Sequence, residues 1–278
     1  MRRPNIIQAI LILVIIPVIP ARAQFTAQEI AQRPFWEEFL KTAEILRSEE
    51  IGEGVTKPLR LYLQKGDVQS KAAWKNPRGT QSGFLEGWQY EIAAYQLDKL
   101  IGLNMVPPAV EREFKGKAGA LVYWVTSEYN LLQVMEEKIP IPESALGHTE
   151  NMKYLVRAWD SLVANDDRTQ QNFLYTKDWR VIAFDHSRSF RSTKEYTDNL
   201  VNGRNGLKKT SDGKPYLFRR LPRWFVENVK KLDYQSIKEA VGPYLTEKEI
   251  ASVVKRKDLL LAEIDAMIKE NGEEKVLY

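Results

Sequence analysis

The sequence predicts an α+β fold in two lobes, a small β-rich lobe over residues 51–127 and a larger helical lobe over 128–278. Three observations carry this. "KPLRLYLQKGDVQSKAAWK" alternates Leu59, Leu61 and Leu63, turns at "KGD" and resumes from Val68 to Lys75, the period-two pattern of a β-hairpin. "GWQYEIAAYQLDKLIGL" places Tyr90, Ala93, Leu97, Leu100 and Ile101 on one helical stripe, with Gly102 near its end. Beyond Glu128 the pattern is mainly helical, apart from a strand pair around Phe173 to Phe184.

Taken in order, residues 1–23 read as a secretory signal peptide. "MRRPN" is a basic start, "IIQAILILVIIPVI" an apolar core, and "ARA" a small-x-small cleavage site before Gln24. The apolar run falls short of the ~20 residues that span a bilayer. The expectation is therefore a bacterial-type exported protein, periplasmic or secreted, with membrane contact only if the leader stays uncleaved. Residues 24–50 read as a helical N-terminal segment, in which "PFWEEFLKTAEIL" sets Phe35, Phe39 and Leu40 on one side. Within 51–127, "ALVYWVTSEY" is a further strand. Near the C-terminus, Thr246 and Glu249 form a capping box that Leu245 and Ile250 can staple. The helix that follows shows a stripe of Ile250, Val253, Val254, Leu261, Ile264 and Ile268. "DNLVNGRNGLKKTSDGKP" reads as an exposed, mobile loop.

Composition removes several function classes. Of 41 basic residues, Arg2, Arg3 and Arg22 leave with the leader, so 38 face 37 acidic residues, about +1. That balance gives no support to a nucleic-acid partner. No cysteine is present, which excludes thiolate nucleophiles, disulfides and cysteine-ligated zinc. The only histidines, His148 and His186, form no H-x-x-x-H pair, and no G-x-S-x-G elbow occurs. Nothing among the acidic residues singles out a glycosidase pair.

The stretch "NDDRTQQNFLYTKDWRVIAFDHSRSF" carries the chemistry. Asp167 precedes Asn172 by five residues, and "RVIAF" delivers Asp185 at a strand end. Phosphoryl transfer needs a carboxylate by the accepting hydroxyl, hard oxygen ligands for a divalent ion, and a fixed cation on the phosphates. Asp167, Asn172 and Asp185 have the right types and spacing for the first two. Lys75, closing the hairpin, supplies the cation, and Glu91 on the next helix its ion-pair partner. Gly52 and Gly54 in "IGEGVTKP" sit where a phosphate-covering turn would lie. Taken singly, each residue is equally well a solvated loop or surface side chain; their order along the chain is that of a two-lobed kinase.

"YEIAAYQLDKLIGLNMVPPAVER" resembles the helix-to-"VPP" segment of the secretory-pathway kinases of the Golgi casein kinase family. "DDRTQQN" followed by "FDHSRSF" is similar to that family's catalytic and metal loops, and to those of phosphatidylinositol and HipA-type kinases. The resemblance covers roughly Ile51 to Phe190. It implies a protein-kinase-like fold that binds ATP or another nucleotide with Mg²⁺ or Mn²⁺ and phosphorylates a hydroxyl on protein, sugar or lipid. It further implies that Lys75 contacts phosphates, Glu91 orients it, Asp167 is the catalytic carboxylate, and Asn172 and Asp185 hold metal. Two positions depart: Thr169 replaces a histidine and Ser187 a glycine. They keep a second expectation open, a pseudokinase acting as a nucleotide-binding or regulatory protein.

Overall fold

The chain enters through two short helices, α1 (Ala27–Ala31) and α2 (Arg33–Thr42), and then departs from the helical reading of residues 24–50. Residues Glu44–Glu50 form a strand, β1. The computed structural model describes residues 25–52, 58–81 and 83–278, so the leader and Gly54 lie outside the described residues. Next come β2 (Leu59–Lys65), β3 (Val68–Lys75), β4 (Arg78–Gln81), β5 (Phe84–Gly87) and α3 (Gln89–Ile101), then β6 (Ala109–Phe114) and β7 (Lys117–Tyr123). Five strands make one antiparallel sheet in the order β1-β2-β3-β7-β6, while β4 and β5 pair separately. β1 escaped the sequence pattern because it is an edge strand with largely exposed charged side chains. Cross-strand polar pairs hold it: Glu49 accepts from Arg60 at 2.7 Å and from the Tyr62 hydroxyl at 2.7 Å.

Successive strand residues point to opposite faces of a sheet. Ala72, Trp74 and Leu121 face one way and pack with Phe39 and Leu40 of α2. Ala73, Ala120 and Val122 face the other way, into the core that contains α3. Lys75 shares the face of Ala73, so it meets a helix instead of solvent. Leu100 is the exception on the expected stripe of α3, 40% exposed, while Tyr90, Ala93, Leu97 and Ile101 are buried. The helix ends at Gly102 in the left-handed region (φ 73°), which glycine adopts without steric cost.

Asp98, fully buried near that end, explains why the helix runs into the "VPP" turn as it does. Its Oδ1 accepts the backbone N–H of Met105 (2.8 Å) and Val106 (3.0 Å), and its Oδ2 pairs with buried Arg33 at 3.0 Å. Asp98→Ala removes the acceptor of two amides and the only carboxylate on the Arg33 guanidinium among the described residues, leaving it the Asn104 Oδ1 at 2.7 Å. Breaking a buried pair costs about 3–5 kcal/mol. The expected result in urea denaturation is a loss of that size, with a melting temperature lower by roughly 10 °C. A loss below about 1 kcal/mol would show that the pair contributes little.

The second lobe comprises β8 (Tyr129–Asn130), α4 (Leu131–Glu136), α5 (Glu143–Val163), β9 (Phe173–Tyr175), β10 (Val181–Ala183) and α6 (Lys194–Asp198). It continues with α7 (Arg223–Lys230), α8 (Tyr234–Val241), α9 (Glu247–Asn271) and α10 (Glu273–Val276). β8 adds a third strand to the expected pair, in the order β10-β9-β8. The Thr246–Glu249 capping box forms at the start of α9. Ile250, Val253 and Ile264 of its stripe are buried with Leu260 and Met267, while Val254, Leu261 and Ile268 pack at the margin. Residues 198–215 do not form the free loop expected: Leu200, Val201 and Asn202 are buried, and the Asn202 N–H donates to Ser161 Oγ at 2.9 Å. Among the described residues no helix is long and apolar enough to cross a membrane.

Candidate active site

Three of the expected residues meet directly. The Lys75 ammonium lies 2.7 Å from Glu91 Oε1 and 2.9 Å from Asp185 Oδ1. Glu91 spends its other oxygen on the backbone N–H of His186 at 3.2 Å, so the residue after Asp185 is tied to α3. Lys75 and Glu91 are buried, whereas the Asp185 side chain is 33% exposed. Burial works against the Lys75 charge, but the two carboxylates outweigh it and raise its pKa. Burial likewise opposes the Asp185 charge, and Lys75 overcomes it, holding that carboxyl below its ordinary range. Glu91, fully enclosed, is pushed up by burial despite Lys75.

β9 and β10 pair with Ala183 opposite Phe173. One residue further out stand Phe184 and Asn172, so the hairpin delivers Asn172 beside the entry to Asp185. Arg168 fixes this junction: one guanidinium nitrogen donates to the Asn172 carbonyl at 3.0 Å and to the Phe184 carbonyl. The same guanidinium grips buried Asp160 through both oxygens, at 3.0 and 3.2 Å. Asp185 itself adopts φ 62°, a left-handed conformation that Asp tolerates better than most residues.

Asp167 lies in the loop between these parts. Its N–H donates to Asn165 Oδ1 at 3.1 Å, and its Oδ1 sits 3.3 Å from Arg188. Burial raises its pKa, with Arg188 opposing and Asp185 reinforcing. Arg188 also donates through Nε to buried Glu86 on β5 at 2.7 Å. The β4–β5 hairpin is thereby docked on the segment after Asp185, assisted by the Gly87 N–H to the Ser187 carbonyl at 2.9 Å. Gly52 (φ 78°) closes the end of β1 in the β1–β2 connection, the place expected for a phosphate-covering turn.

Five contributors were not singled out as site residues in the sequence reading. Glu86 and Arg188 meet across 102 residues; Arg188 stands in the quoted "FDHSRSF", but no local pattern announces Glu86. Arg168 lies inside the quoted stretch and Asp160 five residues before it, and no periodicity marks either as a support. Lys208, from the supposedly free loop, donates to the carbonyls of Asp166 (3.3 Å) and Arg168 (3.0 Å), bracketing Asp167. His186 is excluded as a base: its Nε2 accepts from Trp159 Nε1 at 3.0 Å and lies 3.0 Å from an Arg168 nitrogen. Burial and the Arg168 charge hold its pKa far below the usual value. Ser187 carries no backbone strain, since the left-handed residues of this segment are Asp185 and Phe190. Its hydroxyl lies 3.3 Å from Asp185 Oδ1.

Asp185 and Asn172 are the residues of this hairpin that could offer oxygens to a divalent ion. Among the described residues no three His, Asp or Glu side chains make a closed metal cage. Mg²⁺ is ordinarily held by one or two protein carboxylates and substrate phosphates, and its ligands are hard oxygens such as those of Asp185 and Asn172.

No protein-family model and no curated protein matches this sequence. Solved structures do. The structure of hydra Fam20 with sugar matches 94% of this chain and 95% of its own, at a TM-score of 0.63 and 15% identity. The chain has the Fam20 kinase-like fold. At that identity the likeness to Fam20 is one of architecture. It nonetheless extends beyond Ile51 to Phe190, the span that carried the sequence resemblance, to nearly the whole chain.

Proposed function

We propose that this chain is an exported phosphotransferase that binds a nucleotide, ATP or another, with Mg²⁺ or Mn²⁺ and phosphorylates a hydroxyl-bearing acceptor. One observation carries the reading: a single lysine amine joins Glu91, 16 residues on, and Asp185, 110 residues on. Export is supported by the leader sequence alone. In this reading Lys75 presents its charge to the phosphates, and Glu91 keeps the amine from swinging away. Asp185 and Asn172 would hold the metal, which neutralises phosphate charge when bound. Asp167 receives the acceptor hydroxyl and, with its pKa raised by burial, is better matched to accept its proton than an exposed aspartate. Arg188, now paired with Asp167, must yield part of that contact to the hydroxyl.

The test is transfer of γ-labelled phosphate by the purified protein to serine peptides, sugars and lipid headgroups. Sugars belong in the panel because the Fam20 of hydra was solved with one. Asp167→Asn is expected to lower transfer by about 10²–10⁴-fold while nucleotide binding is kept. Undiminished transfer would remove Asp167 from its role. A second reading, nucleotide binding without turnover, is favoured by the Arg188–Asp167 ion pair at 3.3 Å, which occupies the would-be catalytic carboxylate. Metal-dependent binding with no transfer to any acceptor would decide for it.

A further inference from the structure

A cavity of about 780 Å³ lies beside the catalytic loop, walled by Asn165, Arg168, Thr169 and Gln170 among others. None of Lys75, Glu91, Asp167 or Asp185 lines it, so it is distinct from the cleft. Its size is that of small-molecule sites, roughly 300–1,000 Å³. Its wall is mixed, with Thr149, Glu150 and Lys153 of α5 set among apolar residues. Leu131, Val134, Ile141, Leu146 and Val156, from α4, α5 and the segment between them, make the apolar part. Arg157 and Lys208 make the basic part and converge on one ring, lying 5.2 and 5.8 Å from the centre of Tyr216.

Among the described residues neither cation forms a close ion pair, although Glu150 acts on Arg157, and Asp160, Asp166 and Asp167 on Lys208, from further away. Arg157 donates to the Leu217 carbonyl at 2.6 Å and Lys208 to the two loop carbonyls, all neutral acceptors. The wall's acids are already engaged, Glu150 by Lys153 and Asp160 by Arg168. Burial lowers the pKa of both Arg157 and Lys208, a cost that a bound anion would offset. Leu146 and Arg157 are eleven residues apart on α5, about 16 Å at 1.5 Å per residue. A ligand reaching both needs an apolar length and a charged end.

We propose that this cavity binds a single-chain anionic amphiphile, with its carboxylate on Arg157 and Lys208 and its alkyl chain along the apolar wall. A peptide suits it less well, because Leu131, Val134, Ile141 and Leu146 offer no partners for backbone amides, and burying those unpaired is costly. Lys208 also holds the carbonyls on either side of Asp167, so the ligand would sit one residue from the catalytic loop's support.

Calorimetric titration of the purified protein with dodecanoate, below its micelle-forming concentration, tests this independently of phosphotransfer. Saturable one-to-one binding is expected, at least tenfold tighter than that of dodecanol, with none for acetate or dodecyltrimethylammonium. Arg157→Gln should weaken dodecanoate at least tenfold. So should Leu146→Asp, a half-exposed site where a new carboxylate is tolerated by the fold but repels the ligand. Thermal melts confirm that both variants are folded. Equal binding of all three twelve-carbon chains, no dodecanoate binding, or binding of acidic peptides in its place would overturn the proposal.

Discussion

Asp185→Ala is expected to abolish metal-dependent nucleotide binding while leaving the protein folded. Asp185 is the partly exposed member of the triad, and the others cannot replace it. Glu91 is enclosed, with one oxygen on Lys75 and the other on the His186 N–H. Asp167 is engaged by Arg188. The variant still leaves Lys75 paired with Glu91, so no buried ammonium is orphaned and the fold should hold. Losses from outer-shell partners of a metal reach about 10–100-fold. Removal of a direct carboxylate ligand should exceed about 100-fold, or roughly 2.7 kcal/mol. The measurement is nucleotide titration with Mg²⁺ or Mn²⁺ and again with chelator. The metal-dependent increment should vanish in the variant, and the weak metal-independent part, owed to Lys75, should remain. Equal affinity in wild type and variant would place the metal elsewhere.

The triad was legible in the sequence because each member stands on a regular element. The two-residue period of β3 turns Lys75 towards α3, and Glu91 is in the first turn of that helix. Asp185 follows a short apolar strand. Asn172 and Asp185 could be linked because the strands between them are adjacent and antiparallel, and a hairpin brings its own ends together. Where the sequence was silent, position depends on docking between distant parts. Glu86 belongs to a small hairpin whose place is set by contact with the segment at Ser187 and Arg188. Lys208 lies in a glycine-rich stretch with no period at all, yet buried Leu200 and Val201 anchor that stretch beneath the loop. β1 is polar on its exposed edge, so it lacked the apolar alternation that revealed β2. Local pattern thus picked out the Lys75, Glu91 and Asp185 cluster, and the residues that hold it in place were set by tertiary packing.

Arg168 is the most consequential of those supports, and Arg168→Leu should destabilise the protein by about 3–5 kcal/mol at neutral pH, the cost of leaving a buried charge unpaired. The charge is Asp160, which would keep one hydrogen bond, from the Asn165 side-chain amide at 3.2 Å, and the more distant charge of Lys208. Burial already raises the Asp160 pKa, with Arg168 opposing, and removing Arg168 must raise it further. The sign follows from proton counting. With a folded pKa above the unfolded value of about 3.9, the native state binds more protons between the two, so stability falls as pH rises through that window. The defect should therefore be mild near pH 4 and deepen towards pH 7. Asp160→Asn in the Arg168→Leu background should recover much of the loss and flatten its pH dependence, because an amide carries no charge to strand. Metal-dependent nucleotide binding should stay impaired even then, since the Asn172 and Phe184 carbonyls have lost their common donor. Urea denaturation of the wild type, the single variants and the double variant at several pH values measures all of this. A defect independent of pH would mean that Asp160 is not the charge Arg168 neutralises.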